Sequence, residues 1–169
     1  MRWLTEPLKE LADYRYLLEN VKSKNTPVLA TGVIDVQKTQ LIYALCRETD
    51  ACALIIGHDE AGAKAIYNDL AALNEKASYF PAKDVIFYSA DVHSSDITRQ
   101  RFKTIDELLR GETGFVCTTV EALFERLMPK EKMREFVFEL REGDIMPPGE
   151  LVKRLVNLGY ERSDAVEGV

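Results

Sequence analysis

One stretch constrains this chain more than any other: Ala30-Thr31-Gly32-Val33-Ile34-Asp35-Val36-Gln37-Lys38-Thr39. Gly32, Lys38 and Thr39 stand at fixed positions of the phosphate-loop pattern G-x-x-x-x-G-K-[ST], and Gln37 takes the place of its second glycine. An apolar run from Pro27 to Ala30 precedes the stretch and an amphipathic segment follows from near Gln40, which is the strand–loop–helix setting such a loop requires. A phosphate cradle works by converging backbone N–H groups on an anion, and the closest approach needs glycine's missing Cβ. Here Ile34, Asp35, Val36 and Gln37 bring two bulky apolar groups, a carboxylate and an amide to the space a triphosphate would fill, and Asp35 would repel it. The stretch reads as a decayed nucleotide site with Gly32, Lys38 and Thr39 as its remnant, and no nucleotide cofactor is expected. A Lys-Thr pair opening an ordinary helix gives the same expectation.

The rest of the chain alternates helical and strand patterns. Thr5 is placed to cap a first helix bearing Leu8, Leu11, Leu18 and Val21 on one face, and Val28-Leu29-Ala30 is the expected strand before the loop. A second helix carries Leu41, Ile42, Leu45 and Cys46, and Ala51 to Ile56 reads as a strand covered on both faces. Asp59 is placed to cap a third helix with Ala61, Ala65, Ile66, Leu70 and Leu73. Ser78-Tyr79-Phe80-Pro81 and Val85 to Tyr88 read as short strands, and Ser94-Ser95-Asp96 opens a helix that runs to Arg110 and stops at Gly111. Phe115-Val116-Cys117-Thr118 is a further strand, and Thr118 with Glu121 has capping-box spacing for a helix bearing Val120, Leu123, Phe124 and Leu127.

Nearly all-apolar strands alternating with helices predict an α/β fold, a parallel sheet with helices on both faces, over residues 1–133. Residues 134–169 read as the beginning of a small α+β domain: a half-exposed strand at Phe136 to Leu140, turns at Gly143-Asp144 and Pro147-Pro148-Gly149, and a helix with Leu151, Val152, Leu155, Val156 and Leu158 ended by Gly159. Tyr160 onward reads as a strand, and a unit of this size needs something to pack on, so the chain is expected to be the front of a longer protein.

Composition narrows the function classes. The 28 acidic and 22 basic side chains give a net charge of -6 with the cations interspersed, which does not by itself draw a nucleic-acid backbone. The cluster Lys130, Lys132 and Arg134 is interleaved with Glu131 and Glu135 and reads as a solvated connector. Cys46, Cys52 and Cys117 are odd in number, sit in apolar patterns and are expected as buried thiols, and neither they nor His58 and His93 have metal-ligand spacing. No apolar run approaches the ~20 residues of a membrane span and the first residues do not form a signal peptide, so the expected compartment is the cytoplasm. No nucleophile–base set or paired carboxylates stand in a recognisable motif, and no catalytic residue is expected.

Thr31-Gly32 with Lys38-Thr39, Tyr79-Phe80-Pro81-Ala82 with Asp84-Val85, Ser95-Asp96-Ile97 with Gln100-Arg101, Thr118 through Leu123, and Gly143-Asp144 with Leu151 to Val156 and Leu158 to Arg162 form an ordered set. That set resembles the N-terminal, UvrB-like module of the bacterial transcription-repair coupling factors, the Mfd family. UvrB itself has an intact phosphate loop here and a longer tyrosine-rich segment where this chain has Val85 to Ser95, so the resemblance lies with the coupling factors.

The resemblance implies a module that recruits the excision-repair protein UvrA during transcription-coupled nucleotide excision repair, through the small domain begun at residue 134. Tyr160 and Arg162 are its candidate contact residues, since aromatic and arginine side chains are enriched at such surfaces. ATP and magnesium, DNA and RNA polymerase are implied for domains downstream in the full-length translocase and not for this stretch. Asp96, Gln100 and Arg101 read as a first-turn acid with solvated polar neighbours. The alternatives are an active phosphate-loop ATPase with a variant loop, and a DNA-binding module.

Overall fold

Three parallel strands organise the computed structural model, which describes residues 2–73, 76–83, 92–135, 140–158 and 160. The strands are β1 (Ala53–Gly57), β2 (Ala77–Phe80) and β3 (Phe115–Thr119), in the spatial order β1-β3-β2. Both outer strands pair with β3, Ala53 and Ala77 each opposite Phe115. The central strand is buried at every position, as its unbroken apolar and threonine sequence requires.

Alternation along the strands sends side chains to two separate layers. On one face Ile55, Tyr79, Phe115 and Cys117 pack with Tyr43 of α3 (Asp35–Thr49) and with Ala63 and Leu70 of α4 (Glu60–Leu73). On the other, Phe80 and Val116 pack with Ile105 of α5 (Val92–Arg110) and Ala122 of α6 (Val120–Leu123). Helices therefore cover both faces of a parallel sheet, as the sequence pattern predicts. Gly57 allows the closest approach in the first layer, because a Cβ there would lie 2.8 Å from the Cβ of Ala63.

The expected helix ends are partly realised. The Asp59 carboxylate accepts from the Gly62 amide at 2.7 Å and caps α4, and α5 gives way to a turn at Gly111. Thr118, expected as a cap, instead lies within β3 and donates to the Phe80 carbonyl at 2.8 Å. Its neighbour Thr119 caps α6, accepting from the Ala122 amide at 3.4 Å, and the helix ends at Leu123 rather than continuing to Leu127. The extra residue of β3 is drawn into the sheet by its pairing with Gly57.

Three expectations near the first strand are corrected. The single helix predicted from Thr5 is broken into α1 (Arg2–Thr5), a 3-10 turn at Glu6–Glu10 and α2 (Ala12–Ser23), with Leu11 in extended backbone parting the turn from α2. Val28-Leu29-Ala30 forms no strand; Leu29 is 87% exposed and no strand among the described residues pairs with it. The run from Ala51 is covered on one face only, since Leu54 and Ile56 remain 58% and 49% exposed where α5 packs on β2 instead.

The chain divides into two compact units, Met1–Arg126 and Leu127–Val169. The second contains α7 (Lys130–Glu135) and α8 (Pro148–Asn157), whose Val152 and Val156 are exposed. Leu140 has no regular structure, and the strands expected at 85–88 and across 136–139, together with residues 161–169, lie outside the described residues. Among the described residues no helix is long and apolar enough to cross a membrane.

Candidate functional site

The remnant loop is built from Gly32, which turns the chain at φ +73, a backbone region that favours glycine, and from the first turn of α3. Gln37, standing where the pattern has glycine, reaches back to accept from the Ile34 amide at 3.4 Å and so helps close that turn. The amide of Lys38 donates to the Ile34 carbonyl at 3.0 Å as the helix begins.

Both side chains that would serve phosphate and magnesium in an intact loop have internal carboxylate partners. Lys38 Nζ lies 2.9 Å from Asp35 Oδ1, one helical turn back, and the ammonium holds the Asp35 carboxyl below its ordinary range. Thr39 is 3% exposed and its hydroxyl donates to Asp69 on α4 at 3.3 Å, so it joins α3 to α4. Ile34 and Val36, by contrast, do not fill the loop's interior as the sequence suggests. They stand 64% and 71% exposed, because the helix begins at Asp35 and turns them outward. Beside the loop lies a cavity of about 440 Å³.

Arg101 is the residue that the sequence placed least well. Expected among solvated neighbours, it is 5% exposed, with its guanidinium carbon 4.1 Å from the centre of the Phe80 ring. It donates to the Pro81 carbonyl at 2.5 Å and pairs with Glu125 at 3.2 Å. Gln100 and Thr104 both donate to the Tyr79 carbonyl, at 3.4 and 3.0 Å. These groups close the carboxyl end of β2, beyond which there is no further strand residue to receive them. A usable signal was present: Arg101, Thr104 and Ile105 share one helical face, and that face meets the sheet.

The thiols differ from one another. Cys117 is fully buried and burial pushes it up to about 12, Cys46 is half-buried and pushed up to about 11, and Cys52 is exposed on the connector before β1, contrary to the expectation of burial. No group of metal-ligating side chains occurs among the described residues. His58 is exposed and pairs with Asp59 at 3.1 Å. Of the two candidate contact residues in the second unit, Tyr160 is 65% exposed with its amide donating to the Leu155 carbonyl at 3.0 Å, and Arg162 lies outside the described residues.

No family model matches the chain, and no solved structure matches it. Curated proteins do. The transcription-repair-coupling factor of Bacillus subtilis (strain 168) is 29% identical over 161 residues, covering 94% of this chain. That of Staphylococcus aureus (strain USA300) is 24% identical over 171 residues, covering 100%. In both cases the chain spans 14% of the relative's own length. Matched over 94% and 100% of its length to one kind of protein in two genera, the chain is similar to a segment of the transcription-repair-coupling factors.

Proposed function

We propose that this chain is a non-catalytic recruitment module of a transcription-repair-coupling factor, acting in the cytoplasm to bring UvrA to a stalled transcription complex during nucleotide excision repair. The observation that carries the non-catalytic part is the pairing of Lys38 with Asp35 and of Thr39 with Asp69. A lysine must swing free to reach a nucleotide's terminal phosphates and a threonine hydroxyl must face a magnesium ion. Here the lysine is drawn back along its own helix, and the hydroxyl is buried against a neighbouring one. ATP hydrolysis, DNA translocation and the grip on RNA polymerase then belong to other domains of the full-length protein.

The recruitment part rests on the similarity to the coupling factors and on the second unit, where Tyr160 is exposed beside the amphipathic α8. An aromatic side chain held in solvent beside an apolar helix face is a suitable anchor for a protein partner. The test is a titration of purified UvrA against this chain and against one extended by roughly 50 residues, enough to complete a domain of ordinary size. Binding by the longer chain, weakened by Tyr160→Ala, is the expected result. Failure of the longer chain to bind would refute the recruitment reading. Calorimetry with magnesium-ATP tests the other half: heat of binding that Lys38→Ala removes would show a working nucleotide site.

A further inference from the structure

We draw no further inference here: the strongest candidate, the apolar cleft of about 440 Å³ between α2 and the loop that opens α3, rimmed by the exposed Leu11, Tyr16 and Leu29, carries nothing because nothing in the structure shows what covers it.

Discussion

Arg101 is stacked on Phe80 at 4.1 Å, joining α5 to the carboxyl end of β2. The same guanidinium pairs with Glu125, which also accepts from the Lys83 amide at 3.3 Å, so one arginine organises the turn after β2 and the segment after α6 together. Truncation leaves the Pro81 carbonyl without its donor and Glu125 without its buried cation. Arg101→Ala is expected to cost about 3 kcal/mol, and Arg101→Lys to recover only part, because lysine lacks the planar face that stacks on the ring. Urea unfolding of the three proteins checks this; equal midpoints would refute it.

The two remnant residues should behave differently from each other. Lys38→Ala removes an exposed pair within one helix and should change stability by less than roughly 0.5 kcal/mol. Thr39→Val removes a buried donor that ties α3 to α4 and should cost about 1 kcal/mol. A larger loss at Lys38 than at Thr39 would contradict the geometry.

Gly57 faces Ala63 so closely that an added Cβ would meet both its Cβ at 2.8 Å and its amide nitrogen at 2.9 Å. The amide belongs to the helix backbone and cannot turn aside as a side chain would. Gly57→Ala is therefore expected to destabilise by about 1–3 kcal/mol through overpacking, read as a lowered denaturation midpoint with an unchanged slope.

Thiol chemistry should follow burial. At pH 8 an alkylating reagent is expected to label exposed Cys52 first, Cys46 more slowly and Cys117 only as the protein unfolds. Mass spectrometry of timed digests gives the order, and early labelling of Cys117 would contradict the packing of β3. The raised Cys117 thiol also sets a direction for stability. Above pH 9 the unfolded chain loses a proton that the fold retains, so the folded state weakens as pH rises from 9 toward about 12. Cys117→Ala should flatten that decline, seen by comparing denaturation midpoints across the range.

Much of the architecture is written locally. The apolar run at Phe115 to Thr119 can satisfy itself only as a covered strand, and Asp59 followed by helix-spaced alanines and leucines sets the start of α4 through its own carboxylate. The Lys38–Asp35 pair follows from helical spacing alone, since residues three apart on a helix meet, although the sequence reading took Asp35 only as a charge that repels phosphate. Other features depended on groups far apart in sequence. Val28-Leu29-Ala30 has a strand's composition, but a strand exists only where another offers its backbone, and none does so here among the described residues. Thr39 meets Asp69 across 30 residues, and Arg101 meets Pro81 and Glu125 from two sides. The sequence by itself determined the covered strand at Phe115 to Thr119 and the capped start of α4, since those depend on neighbours along the chain. Only the tertiary structure decided that Thr39 and Arg101 are buried, and that Leu29, Ile34 and Val36 face solvent, because burial is a property of what the folded chain places opposite each side chain.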